Sequence, residues 1–170
     1  MILSWFISLL TFPGVVLHEL AHKKFCDFCG VPVYKVSYFR IGNPVGQVIH
    51  AEPRKYSQVF WISVGPLIIN SIVALLASYF FFYGGLEIGW RIFLLWLAFS
   101  AGIHAFPSDQ DTGNIIEASK NRLTFFDLIT FSFLFRWISL LFVYPIKWAN
   151  NARYFWFFYA LILIALGFLI

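Results

Sequence analysis

Five long apolar runs separated by short polar segments make up most of the chain. Each is near the ~20 residues that an α-helix needs to cross the hydrocarbon core of a bilayer. The runs cover approximately residues 2–25, 59–83, 90–106, 125–146 and 154–170. This pattern predicts an all-α polytopic membrane protein with about five transmembrane helices. The third and fifth runs are the shorter ones, so we expect these helices to tilt or to end at shallow depth.

The segment Val31–Pro53, between the first two runs, has a different pattern. β-Branched and aromatic residues are interspersed with polar ones in Val33–Ile41, which is typical of a strand. Gly42-Asn43-Pro44 then favours a turn, and Gln47–His50 is a candidate returning strand. We therefore expect a small β-hairpin at the membrane surface, between the first two transmembrane helices.

Composition supports the membrane assignment. The 170 residues are 61% hydrophobic and only 12% charged, whereas about a quarter of the residues of a soluble domain are charged. Such a chain cannot cover its surface with polar groups, so the lipid bilayer is its expected solvent. The length suits one domain, residues 1–170. We see no secretory signal in the first run, and two cysteines are too few for a disulfide framework.

The net charge of +4 reports topology here and does not indicate a nucleic-acid partner. If all five runs span, most basic loop residues share one side, and the positive-inside rule assigns that side to the cytoplasm. These residues are Lys23, Lys24, Lys35, Arg40, Arg54, Lys55, Lys120 and Arg122, against Arg91, Lys147 and Arg153 on the other side. The cytoplasmic end of the first run is then also where the chain carries its most informative motif.

That motif is H-E-x-x-H, His18-Glu19-Leu20-Ala21-His22. On a helix, residues i and i+4 lie one above the other, so both imidazoles can hold one metal ion. Glu19 lies beside that face and is placed to accept a proton from an attacking water. The motif predicts a catalytic zinc site with His18 and His22 as ligands and Glu19 as the general base.

A catalytic zinc site normally has a third protein ligand. Asp109 and Asp111 are the candidates, because they follow the third run at the membrane side where the motif lies, and Pro107 breaks the helix before them. Asp111 also has a purely structural interpretation, since Ser108 and Asp111 have the spacing of a helix-capping pair. The residues leave both aspartates open as the third ligand.

The order of these motifs resembles the site-2 protease family of intramembrane zinc metalloproteases. The resemblance covers residues 1–114 and leaves 115–170 as additional helices. It rests on the H-E-x-x-H helix, the hairpin, Gly65-Pro66-Leu67-Ile68-Ile69-Asn70 and Ala105-Phe106-Pro107-Ser108-Asp109. The family's L-D-G segment is not intact here, since Gln110 follows Asp109. Alignment by the proline favours Asp109, and the P-S-x-x-D pattern of smaller members favours Asp111.

The resemblance implies a zinc-dependent intramembrane endopeptidase that cleaves a transmembrane segment of a substrate protein. It makes Asn70 and His104 candidate substrate-binding residues. Gly65, Pro66 and Asn70 also have a structural interpretation as a kink and packing surface, with Asn70 bonded to the motif helix. The alternative function is a catalytically inactive metal-binding scaffold. A metal transporter is disfavoured, since few ionisable residues lie deep in the later runs. The sequence does not indicate an oligomeric state.

Three other features have ordinary interpretations. Cys26 and Cys29 have C-x-x-C spacing but no second pair, so we expect cytoplasmic thiols rather than a zinc knuckle. His50 is expected to be a solvated strand residue. Arg136, inside the fourth run, is expected to pair with Asp127 or to extend its guanidinium towards the interface.

Overall fold

The computed structural model describes residues 2–42, 44–120, 132–150 and 155–170. These residues form mostly helices and one antiparallel two-stranded sheet, as the pattern of apolar runs predicts. The elements are α1 (Ile2–Leu10), α2 (Phe12–Phe28), β1 (Val33–Ser37), β2 (Gln47–His50), α3 (Tyr56–Tyr83), α4 (Ile88–Ile103), α5 (Asp109–Ser119), α6 (Ser132–Asn150) and α7 (Phe155–Leu169).

The first apolar run differs from the single helix that we predicted, because it is divided at Thr11 into α1 and α2. Pro13 lies in the first turn of α2, where its missing N–H is tolerated but a continuous helix would lose a hydrogen bond. α2 then continues to Phe28, and the chain turns away at Gly30, whose φ of 67° suits glycine. The break separates a short N-terminal helix from the helix that carries the metal-binding motif.

The central helix is α3, which packs against α2, α4, α5 and α7. Among the described residues it is the helix that is by itself long and apolar enough to cross a membrane, while α4 is a shorter apolar helix. Gly65 of α3 lies against the Phe25 ring, where an added Cβ would come within 2.4 Å of the ring. Gly65 is thus a point of close approach between α3 and α2, in agreement with the packing interpretation.

The predicted hairpin is present and lies beside α2. β1 ends at Ser37, before the predicted end at Ile41, and pairs with β2 from Val33 opposite His50 to Ser37 opposite Gln47. An irregularity in β1 after Val33 shifts the register by one residue. The loop between the strands brings Gly46 against Glu19 of α2, so the hairpin borders the motif.

The later helices agree with the predicted runs where the structure describes them. α6 covers the second part of the fourth run and extends to Asn150, and α7 matches the fifth. Asp127, the expected partner of Arg136, lies outside the described residues. Arg136 is buried, with its guanidinium 5.2 Å from the centre of the Tyr56 ring and donating to the Ser119 carbonyl. Arg136 therefore connects α6 with α3 and α5.

Candidate metal centre

The two histidines of the motif meet as helical spacing predicts. Their rings meet edge to face on successive turns of α2, and the two Nε2 atoms are 3.1 Å apart. His22 is buried, and His18 is partly buried at the wall of a cavity. The helix thus presents two imidazole nitrogens to one point.

Asp111 supplies the third potential ligand. Its Oδ2 lies 3.5 Å from His22 Nε2 and 3.9 Å from His18 Nε2. Among the described residues, His18, His22 and Asp111 form the group of side chains that could hold a metal ion. A carboxylate far away in the sequence therefore converges with the motif helix.

The N-terminus of α5 explains why Asp111 points to the histidines. Ser108 is the N-cap, and its hydroxyl accepts a hydrogen bond from the Asp111 N–H. Asp111 Oδ2 in return accepts from the Ser108 N–H at 2.9 Å and the Ser108 hydroxyl at 2.7 Å. This capping box turns the carboxylate back over the helix start. The capping and ligand interpretations of Asp111 are therefore compatible.

Each motif histidine is oriented by a backbone carbonyl. His18 Nδ1 lies 2.8 Å from the His104 carbonyl oxygen, and His22 Nδ1 lies 2.9 Å from that of Ile62. A carbonyl oxygen can only accept, so each Nδ1 carries a proton, and in the neutral ring the lone pair is then on Nε2. Such outer hydrogen bonds are typical of histidines that bind metals through Nε2.

The spacing of the three atoms tests whether a cation fits. A tetrahedral ion with ligand bonds of ~2.0–2.2 Å holds its ligand atoms about 3.3–3.6 Å apart. The observed separations of 3.1, 3.5 and 3.9 Å bracket this value. Two nitrogen lone pairs and a carboxylate oxygen at these distances repel one another unless a proton or a metal cation lies among them. The donor set and its geometry both fit a divalent metal ion.

Electrostatics keep Asp111 in the form that a ligand needs. Burial of the carboxyl acts to raise its pKa, but positive charge at His22 and His18, together with the hydrogen bond from the Ser108 hydroxyl, outweighs burial and lowers the pKa to about 2. A metal ion held by the two Nε2 atoms would supply the same positive charge. The side chain is therefore an anion at neutral pH and offers a charged oxygen to a cation.

Glu19 is not one of the three grouped ligands, but it lies beside them. With His18 it borders two cavities that meet at the metal-binding group. Gly46 touches the Glu19 side chain so closely that an added Cβ would lie 2.7 Å from its Oε1. The carboxylate is therefore held between the hairpin and the potential ligands, within reach of a group that enters either cavity.

Asn70 connects the helices that surround the site. Its side chain is fully buried, and its Nδ2 donates to the carbonyls of Gly14 at 3.1 Å and His104 at 3.0 Å. The predicted hydrogen bond to the motif helix is thus present. The His104 carbonyl oxygen also accepts a hydrogen bond from His18. Asn70 therefore holds in place the carbonyl that orients His18, a potential ligand. Its substrate-binding role stays a prediction.

We expect Asn70→Ala to weaken metal binding by about 10- to 100-fold, since outer-shell changes typically have this effect. Ser71→Ala is the matched control. Ser71 bonds to Leu67 and to Tyr159 of α7, so its loss removes side-chain hydrogen bonds from the same turn without touching the site. Competition against a chromogenic chelator measures both affinities. Equal affinities for the two variants would contradict the positioning role.

His104 reaches the site through both its backbone and its side chain. Its Nε2 lies 2.8 Å from the Thr11 hydroxyl. That hydroxyl donates its proton to the Ile7 carbonyl at 2.6 Å, so it accepts from His104. His104 also borders the cavity next to His18 and Glu19. The structure thus places His104 beside Glu19 and the potential metal ligands, and its contact with substrate stays a prediction.

Other candidates lie outside the potential metal-binding group. Asp109 is exposed, and its Oδ1 accepts a hydrogen bond from Asn150 at 3.0 Å. Cys26 packs in an apolar cluster with Val31 and Ile62. His50 bonds to the Ala51 carbonyl beside the larger cavity.

Sequence reasoning missed the groups that hold the motif in place. The break at Thr11 frees backbone atoms, and Ser100 of α4 binds them: its hydroxyl donates to the Thr11 carbonyl and accepts from the Gly14 N–H, both at 2.7 Å. Pro13-Gly14 is the sequence signal for this break. The carbonyls of Ile62 and His104 carry no comparable signal, because every residue has a carbonyl.

Comparison of the chain with known family models, curated proteins and solved structures finds no match.

Proposed function

We propose that this protein is a zinc-dependent intramembrane endopeptidase. The observation that carries the proposal is the convergence of three groups: two imidazoles whose Nδ1 atoms are fixed by carbonyls, the anionic Asp111, and Glu19 beside them at a cavity wall. Three ligands of these types leave a fourth position of a tetrahedral zinc ion open. A general base next to an open coordination position is the arrangement of a hydrolase.

Peptide hydrolysis by this site divides the work between the metal and Glu19. Zinc supplies Lewis acidity, which polarises the scissile carbonyl and makes a water more acidic. Glu19 accepts a proton from the attacking water as its oxygen bonds to the carbonyl carbon. Glu19 then gives that proton to the leaving nitrogen as the C–N bond breaks. One water is consumed, and a carboxyl and an amino terminus are formed.

The surface supports an integral, multi-pass location. Soluble proteins rarely expose large contiguous apolar patches, whereas several helices of this chain expose large apolar side chains. Examples are Ile72 and Leu76 of α3, Ile92 of α4, Leu141 of α6 and Ile162 of α7. α3 is apolar and long enough to span, and α2, α4, α5 and α7 pack around it. With the basic loops inside, the active site lies near the cytoplasmic side.

The hairpin provides an edge for an extended substrate. The Ala51 N–H donates to the Pro32 carbonyl, so this residue points towards β1. Alternation along β2 then directs the backbone groups of Val48 and His50 away from β1. Both residues border the larger cavity together with Glu19. A peptide that adds as a strand at this edge presents its carbonyls to the site.

Removal and return of the metal tests the proposal. Purified protein in lipid vesicles is expected to cleave a membrane-protein substrate, to lose cleavage when a chelator removes its metal, and to regain it with stoichiometric zinc. Mass spectrometry of the products measures the reaction. A zinc-loaded protein that cleaves no transmembrane polypeptide would instead support the alternative of a metal-binding scaffold.

A further inference from the structure

α6 packs along α5 in the opposite chain direction. Near the start of α6, Arg136 donates to the carbonyl of Ser119, the last residue of α5, at 3.4 Å. The middle parts of the two helices share a buried apolar cluster. At the end of α6, the Asn150 side chain donates to Oδ1 of Asp109, the first residue of α5, at 3.0 Å. Both ends of α6 are therefore bonded to α5.

α5 lies at the end of the helix bundle that holds the metal-binding group. Asp111, in its first turn, faces the two motif histidines. The apolar cluster that contains Ile116 packs against Tyr56 and Val59, in the first turn of α3. Tyr56 also lies against α6, with its ring centre 5.2 Å from the Arg136 guanidinium. α6 therefore begins and ends at the metal-site end of the bundle.

α7 leads from this end of the bundle to the opposite one. At its start, the rings of Phe155 and Trp156 lie 5.2 and 4.8 Å from that of Phe106, just beyond the end of α4. At its end, the Phe168 carbonyl accepts a hydrogen bond from the hydroxyl of Tyr83, the last residue of α3. α7 thus runs in the same direction as α3, away from the metal site. A spanning α6 would require the opposite direction, because it would deliver the chain to the far end.

The angle between α6 and α7 leads to the same conclusion. α6 has 19 residues and is therefore about 28 Å long. Its axis makes an angle of 113° with that of α7, so α6 advances only about 11 Å along the α7 direction. The hydrocarbon core of a bilayer is about 30 Å thick. α6 therefore lies mostly across the bundle rather than along it.

The two faces of α6 differ in their surroundings. The buried face contains Arg136, Ser139 and Val143, at helical spacing. The opposite face is exposed and combines aliphatic and aromatic side chains with a lysine near the helix end: Trp137, Ile138, Leu141, Phe142, Lys147 and Trp148. Tryptophan and lysine beside aliphatic residues are typical of a helix that lies in the headgroup region of a bilayer. A lipid leaflet therefore fits the exposed face.

We infer that α6 does not cross the bilayer but lies within the leaflet on the metal-site side, with its exposed face against lipid. The end of α7 then lies on the other side. Lys147 joins Lys55 and Lys120 on the metal-site side, which strengthens the bias of basic residues towards that side. Since α6 is bonded to both ends of α5, the leaflet holds in place the helix that supplies Asp111. The inference rests on the membrane location proposed above and is independent of peptide cleavage.

Labelling with a membrane-impermeant maleimide, in intact and in permeabilised bacterial cells, locates the two helix ends. Each variant has one cysteine in a chain whose two native cysteines are replaced. Lys120→Cys marks the metal-site side, and Glu87→Cys marks the turn between α3 and α4 on the far side. We expect Lys147→Cys to label like Lys120→Cys, and Leu169→Cys, at the end of α7, to label like Glu87→Cys.

Any other pairing overturns the inference, including the reverse one that a spanning α6 requires. Equal labelling of Lys120→Cys and Glu87→Cys in intact cells would instead overturn the membrane location itself, and the inference with it. Loss of cleavage has no influence on either result, so a failure of the endopeptidase proposal is distinguishable from a failure of this one.

The depth of a spin label at Leu141 is a second readout. Leu141 is exposed and lies halfway along α6, so a spanning α6 would place it near the bilayer centre, about 15 Å from the edge of the hydrocarbon. A helix in the plane of the leaflet buries its apolar face by only about 5–10 Å. Ile72 is the control, because it is exposed on α3 and lies about 16 Å from the end of that helix at Tyr83.

Power saturation with oxygen and a nickel chelate, in lipid vesicles, measures both depths. We expect the label of Leu141→Cys to be at least ~5 Å shallower than that of Ile72→Cys, but still within reach of oxygen dissolved in the acyl chains. Equal depths would show that α6 spans the bilayer. A label at Leu141 that is fully accessible to the nickel chelate would show that the exposed face is in water. Either result contradicts a helix that lies in the leaflet.

Discussion

Replacement of His22 by alanine is expected to abolish stoichiometric metal binding, and His18→Ala and Asp111→Asn are expected to do the same. Each change leaves two of the three ligands. Only two donor atoms then remain at the site, and two are too few for a catalytic zinc site. Elemental analysis of the purified protein after gel filtration measures bound zinc per chain.

Two controls separate ligand loss from structural damage at α5. Asp109→Asn removes a different carboxylate from the same helix turn. Because this carboxylate bonds to Asn150 and not to the histidines, the variant should keep its zinc. Ser108→Ala removes the capping hydroxyl that orients Asp111, so it should lower the free energy of unfolding by about 1 kcal/mol and weaken zinc binding without abolishing it. Zinc lost in Asp109→Asn and kept in Asp111→Asn would show that the third ligand is assigned to the wrong residue.

The histidine pair was predictable because its geometry is local. Residues four apart on any regular helix share a face, so His18 and His22 needed only a helix to meet. The third ligand depends on where a second helix begins. Ser108 as N-cap places Asp109 in the first position of α5, pointing to Asn150, and Asp111 in the third, pointing back over the cap. Nothing in the spacing of the two aspartates indicates which one faces α2.

The support of the site was less predictable, for a different physical reason. Asn70 was identified as a residue of interest, but its partners are the carbonyls of Gly14 and His104, which depend on how three helices pack. The break at Thr11 likewise depends on Ser100 of α4, whose hydroxyl donates to the Thr11 carbonyl, and on His104, whose ring bonds to the Thr11 hydroxyl. Sequence patterns report side-chain type and period, whereas these contacts depend on long-range packing.

The largest effect on activity is expected from Glu19→Gln. Glutamine keeps the size of the side chain and its place between Gly46 and the metal ligands, but it cannot accept a proton from water. We expect cleavage to fall by about 10²- to 10⁴-fold, the usual contribution of a positioned acid–base group. Zinc content should be unchanged, because the three grouped ligands do not include Glu19. Cleavage rate and bound zinc are measured on the same preparation.

Glu117→Gln is the matched control, since Glu117 borders the larger of the two cavities beside Glu19 but lies outside the metal-binding group. Glu117→Gln should keep both its bound zinc and its cleavage activity. A loss of cleavage in Glu19→Gln alone then cannot be attributed to the removal of one negative charge from the cavity. The pair also separates the two candidate functions. A scaffold needs the fold and the metal but no proton transfer, so its biological role would survive Glu19→Gln. An endopeptidase loses that role with the proton acceptor, even though its metal and its fold remain.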